Sequence, residues 1–169
     1  PSPENSAFGG MPATVVTVFG VGAQVYRSGM RWSFVPLSFF LGITGWVIGG
    51  LAAVVDSTIA LNTVLHNTLW VPAHFHTYFV LGYLLILLGM TFHITESQRE
   101  SRAMAALTTM VVGGTGFLLM FYLGGVEGVP RRFAGYLGID SHTLSATAQL
   151  LAQIAAGFVV LFLLGFLVY

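Results

Sequence analysis

Apolar residues in this chain fall in long, nearly unbroken runs, with the polar residues gathered between them. Five runs stand out, roughly 8–26, 33–55, 69–94, 104–125 and 144–169. Each is long enough to cross ~30 Å of hydrocarbon as a helix rising ~1.5 Å per residue. The first is the weakest, being short and broken by Gly20 and Gly22. No soluble domain fits between the runs and no internal repeat is visible. The pattern predicts an all-α fold over residues 1–169, a single polytopic transmembrane helix bundle of about five spans.

Composition reinforces the pattern. Hydrophobic residues make up 56% of the chain, charged residues 7%, and the mean hydropathy is +0.85. A water-soluble domain carries about a quarter charged residues, so this chain is suited to lipid. The formal net charge of zero leaves no electrostatic footprint for a nucleic acid. Cysteine is absent, which removes disulfides, thiolate metal sites and iron–sulfur clusters. The chain starts at Pro1 without an initiator methionine and stops at Tyr169 within an apolar run. It is expected to be part of something longer, or a naturally split subunit.

Glycines inside the second run, Gly42, Gly45, Gly49 and Gly50, have the spacing of a close helix–helix contact. Arginine sets the orientation. Arg27 and Arg31 follow the first run, and Arg99 and Arg102 follow the third, so both loops share one side, expected to be cytoplasmic. The N-terminus with Glu4, the loop around Asp56 and His66, and the loop 126–141 then face outward. Arg131 and Arg132 sit on that outer side against the rule. They call for an anionic partner, either lipid headgroups or something bound within the fold.

The strongest chemical feature is Trp70-Val71-Pro72-Ala73-His74-Phe75-His76, at the outer end of the third run. Ionisable groups within a span are costly and tend to be functional. Histidines two apart lie ~200° apart around a helix, so they project to opposite faces and cannot chelate one ion. They suit two separate metals, haem iron among them, or hydrogen bonds to two neighbouring helices.

The segment Leu65-His66-Asn67-Thr68-Leu69-Trp70 that leads into this motif, and the motif itself, resemble the tenth helix of haem–copper oxygen reductase subunit I. Gly128-Val129-Pro130-Arg131-Arg132 resembles that family's Pro-Arg-Arg segment after the eleventh helix. The order, separation and expected sidedness of the two elements also match. The similarity covers nearly the whole chain, as helices eight to twelve of about twelve, and Asn67 with the Trp-Val-Pro run looks B-type.

The resemblance implies that His74 is the proximal ligand of a high-spin haem where oxygen is reduced. It implies that His76 is an axial ligand of a low-spin haem, with Phe75 packed between the two. Arg131 and Arg132 correspond to arginines that bind haem propionates, which would explain their sidedness, and His66 and Asn67 match positions nearby. Copper beside the high-spin haem would take its ligands from helices outside this chain. The implied function is that of a terminal oxidase, reducing oxygen to water with proton translocation. Implied partners are the remaining helices of subunit I, a subunit II-like electron-entry subunit, and a cytochrome c, copper-protein or quinol donor. The setting implied is a prokaryotic plasma membrane. Alternative readings are a nitric oxide reductase-like subunit, a b-type cytochrome that only carries electrons, and a non-redox membrane bundle.

Other polar residues carry less. Gln24 falls roughly where A-type members have a proton-channel lysine. Thr14 and Thr17 either line a hydroxyl path or bond back to their own helix. Asp56 and Asn62 suit an outer water layer or a helix cap. His93 reads as an interface residue and His142 as a loop residue at a helix start.

Overall fold

The structure, a computed structural model, describes residues 11–95, 99–132 and 145–169. Glu4 and His142, and the side chains of Thr14 and Thr17, lie outside what it describes. The described residues form helices α1 (Met11–Ser28), α2 (Phe34–Ser57), α3 (Ile59–Leu65), α4 (Trp70–Ile94), α5 (Glu100–Val126) and α6 (Ala146–Val168). Four of them, α2, α4, α5 and α6, are long and apolar enough to cross a membrane. The chain is a helical integral membrane protein.

Two elements depart from the apolar pattern. The outer loop after α2 contains the short helix α3, which the scattered polarity of Thr58, Asn62 and Thr63 did not suggest. Helix α5 starts at Glu100, four residues before the apolar run, because backbone hydrogen bonding needs no apolar side chain and arginine stems can lie along the helix surface.

Helix α4 lies between α2 and α5, and α6 packs along α5 and reaches α4 through Phe162 and Tyr169. Within the spanning windows, 39% of α4 is buried against 11% of α6, so α4 is the most buried of these helices and α6 the least. In lipid the apolar faces gain nothing by leaving solvent, so close packing must hold the helices together. Gly45 shows how. A Cβ there would collide with the Leu81 carbonyl, so α2 and α4 touch backbone to backbone.

The larger of two buried apolar clusters among the described residues lies toward one end, and the smaller, Val80, Leu81 and Leu118, sits nearer the other. Phe34, Leu85, Leu88, Ala103, Leu107 and Met110 form the larger one. The Phe34 backbone N–H donates to Glu100 Oε1 at 3.0 Å, which ties the start of α2 to the start of α5. Arg102 Nε donates to Val168 O at 2.6 Å, and Tyr169 OH to Leu88 O at 2.9 Å, fastening the end of α6 to the same place. The loops bearing Arg31 and Arg99 therefore share one end of the bundle, as the charge pattern predicts. The motif at Trp70–His76 lies at the other.

Candidate functional site

Helix α4 opens with its backbone already anchored. Thr68 is buried, donates its hydroxyl to Leu65 O at 2.8 Å and accepts the Trp70 N–H at 3.2 Å. Pro72 sits in the first turn, where its missing N–H would have had no helical partner. The seven residues Trp70–His76 are α-helical, and a π-helical segment, Thr77–Tyr83, follows at once. Such π segments are rare and concentrate at functional sites. Helical periodicity in the sequence gave no sign of this one.

The two histidines project toward different neighbours. Trp70 Nε1 donates to Ala52 O at 3.4 Å, and the Tyr78 ring meets Trp46 edge-on at 6.0 Å, so positions 70 and 78 face α2. His74 lies one turn from each on that same side, 7% exposed, with its ring 6.3 Å from Tyr78 and 4.3 Å from Phe75. Its Nδ1 is buried without a hydrogen-bond partner among the described residues, as is Asp56 Oδ1.

His76 is exposed and turned toward α5, where its ring stands at 89° to Phe117 with centroids 6.0 Å apart. Its Nδ1 lies 2.6 Å from Pro72 O. A carbonyl only accepts, so Nδ1 carries the proton and Nε2 keeps its lone pair for a ligand contact. Phe75, between them, is 61% exposed.

The loop after α5 closes over this turn. Leu69 N–H donates to Val129 O at 2.9 Å and Arg131 N–H to Asn67 O at 2.8 Å, around an antiparallel bridge between Thr68 and Pro130. Gly128 makes the loop possible, since its φ of +75° is one that side chains resist. Asn67, Arg131 and Arg132 are thereby gathered at the mouth of α4 with exposed side chains, and His66 caps the end of α3 beside Asn67. Asn62 Nδ2 donates to the Asp56 backbone oxygen at 2.5 Å, a contact that joins α3 to α2. His93 and Gln24 are exposed on their helices.

Two residues escaped the sequence reading. Thr77, 1% exposed, donates its hydroxyl to Ala73 O at 2.8 Å and lies 2.9 Å from Tyr122 OH on α5. Tyr122 also stands edge-on to Trp70 at 4.8 Å. A hydroxyl in an apolar run was the available signal for each, but their pairing spans 45 residues and leaves no local mark.

Among the described residues, no three His, Cys, Asp or Glu side chains converge on one point. Each imidazole could contribute one bond to an iron held otherwise by a porphyrin. The free Nε2 lone pair of His76 and the unpartnered Nδ1 of His74 show ring nitrogens that protein hydrogen bonds leave uncommitted, which fits that demand.

Comparison with known proteins bears on the whole arrangement. The profile of the family described as cytochrome c and quinol oxidase polypeptide I matches residues 6–166. A cytochrome c oxidase polypeptide 1 of Halobacterium salinarum is 31% identical over 150 residues, covering 85% of this chain and 24% of that protein. A probable cytochrome c oxidase subunit 1-alpha of Streptomyces coelicolor is 30% identical over 146 residues, 83% of this chain and 24% of that one. A solved heme-copper terminal oxidase dimer superposes with a TM-score of 0.73 at 28% identity, over 96% of this chain and 33% of the matched chain. The chain spans about a quarter of the length of these curated relatives. A match over almost all of its residues, in a bundle of the same shape, makes it a member of the cytochrome c and quinol oxidase polypeptide I family.

Proposed function

We propose that this chain is the C-terminal part, helices eight to twelve, of the catalytic subunit of a B-type-like haem–copper terminal oxidase, with α1 as a fifth span. The observation that carries the reading is the divergence of His74 and His76 to opposite sides of α4, toward α2 and toward α5. One helix can thereby serve two haems.

His74 would hold the iron of the high-spin haem and His76 that of the low-spin haem. When bound, the two haems supply electron entry and, with a copper whose ligands lie outside this chain, the reduction of oxygen to water. The chain's own residues prepare that chemistry. Pro72 O fixes the tautomer of His76, and Phe117 stands edge-on to the His76 ring. Arg131 and Arg132 present planar guanidinium groups suited to paired bonds with propionate carboxylates. Asn67, tied through its carbonyl to Arg131, and His66 beside it offer further donors at that edge and a way out for protons.

The reading implies proton translocation coupled to oxygen reduction, in a prokaryotic plasma membrane. It also implies the remaining helices of subunit I, a subunit II-like partner, and a cytochrome c, copper-protein or quinol donor. Nothing observed favours a nitric oxide reductase or a purely electron-carrying b-type cytochrome.

A reduced-minus-oxidised spectrum of the whole complex, repeated with carbon monoxide, tests the assignment. His74→Ala should abolish the carbon monoxide band, and His76→Ala should remove the low-spin band. Wild-type spectra in both variants would make the histidines structural and end the proposal.

A further inference from the structure

The turn of α4 that carries the histidines is held by side chains as much as by its own backbone. His76 Nδ1 takes Pro72 O, and Thr77 Oγ1 takes Ala73 O, so two successive carbonyls each accept a side-chain proton. The Thr77 backbone N–H is shared between Ala73 O and His74 O. The π segment Thr77–Tyr83 begins at this residue, where the regular α ladder ends. One extra residue per turn there rotates everything beyond it by ~100° relative to the histidines. The junction therefore decides how the ligand turn is aimed.

At this junction α5 supplies a polar grip. Thr77 Oγ1 has one proton and has given it to Ala73 O, so in the 2.9 Å contact with Tyr122 it is the tyrosine that donates. The result is a directed chain from Tyr122 OH to Thr77 Oγ1 to Ala73 O. Thr77 is 1% exposed, so water does not compete for these bonds. Tyr122 itself is wedged. Its ring meets Trp70 edge-on at 4.8 Å, and Trp70 is held by Ala52 O on α2. Phe117, on the same helix as Tyr122, bears on the His76 ring. Helix α5 thus touches the ligand turn at two points, one apolar on His76 and one polar on its neighbour Thr77.

We infer that Tyr122 is a positioning residue for His76, its hydroxyl acting through Thr77 to set the orientation that the imidazole presents to the low-spin haem. The inference rests on His76 being that haem's ligand. Outer contacts that orient an axial imidazole tune the spectrum and potential of the iron it binds. His74 faces the other side of α4 and should be little affected. The effect is therefore expected to be selective for one haem.

The test uses the whole oxidase, with electron paramagnetic resonance of the oxidised low-spin haem and its reduced α band as readouts. Tyr122→Phe removes one oxygen atom and keeps the ring. It should shift the low-spin g values and α band while haem content and the carbon monoxide band of the high-spin haem stay as in wild type. Thr77→Val breaks the same bond from the other side and should give a shift in the same direction. Thr77→Ser keeps the hydroxyl and should restore wild-type signals. The double variant Tyr122→Phe with Thr77→Val should shift no further than Thr77→Val alone.

Unmoved low-spin signals in Tyr122→Phe, with Thr77→Val displaced, would assign the effect to Thr77 alone and overturn the inference. So would equal disturbance of both haems, which marks general loosening of the bundle. If Tyr122→Phe fails to assemble, Thr77→Val decides in its place, and unmoved low-spin signals there overturn the inference. His76→Ala is measured alongside. A low-spin signal that survives it defeats the ligand assignment and this inference together, whereas one that vanishes leaves the Tyr122 result to stand or fall by itself.

Discussion

From Leu84 to Ile94, α4 is a regular α-helix whose Leu85 and Leu88 are sealed among Phe34, Ala103, Leu107 and Met110. From Trp70 to Tyr83 the same helix is half π, and its hydrogen bonds run to Ala52 and Tyr122 as well as along its own axis. The first stretch is held mainly by apolar contact, with one hydrogen bond from Tyr169 OH to Leu88 O. The second leaves His76, Phe75, Phe79 and Tyr83 uncovered and a histidine nitrogen unpartnered. Both stretches are packed, but the second combines its buried residues with polar ties between helices and still keeps histidine nitrogens uncommitted.

Substitutions should separate the two stretches. The largest effect is expected where they join, at Gly45→Val, because any Cβ there meets the backbone of Leu81. The variant should lose the α2–α4 contact and, with it, both haem signals, as read by the yield and spectrum of the purified complex. Next is Met110→Ala, which empties a fully buried site in the apolar cluster and should cost about 2–5 kcal/mol. Its thermal unfolding midpoint should fall while both haem spectra stay unchanged, and a displaced spectrum would show that the two stretches are not independent.

Gly128→Ala should come third. Its φ of +75° makes the loop pay about 1 kcal/mol for a side chain, and the Arg131–Asn67 contact should loosen. A small shift in the haem spectra with little change in melting temperature would place that loop with the site rather than with the core. The smallest effect is expected on α6. Leu167 is 76% exposed, so Leu167→Ala should alter stability by no more than about 0.5 kcal/mol and leave both spectra alone. A larger loss would show that α6 is covered by another helix.

Much of this was legible in the residues. Apolar runs located α2, α4 and α6 to within two residues at either end, because a span must bury its backbone polarity in its own helix. The spacing of His74 and His76 foretold their divergence, since two residues on a helix are always ~200° apart. Glycine spacing pointed to close packing, and Gly45 does pack backbone to backbone. Other features left no local trace. Helix α3 is short and mixed in polarity, and a π segment differs from an α-helix by one residue in register, which apolar side chains on all sides conceal.

What the amino-acid sequence determined alone is therefore whatever one stretch of chain decides for itself: which runs enter lipid, which end carries the basic loops, and where on one helix the two imidazoles point. Local periodicity and charge are enough for that. Only the tertiary structure decided that Asn67 would meet Arg131, that Tyr122 would reach Thr77 across 45 residues, and that His74 would be buried while His76 lay open. Those outcomes depend on how helices sit against one another. In a membrane that is set by close packing and by the few hydrogen bonds available between spans, neither of which can be read from one span at a time.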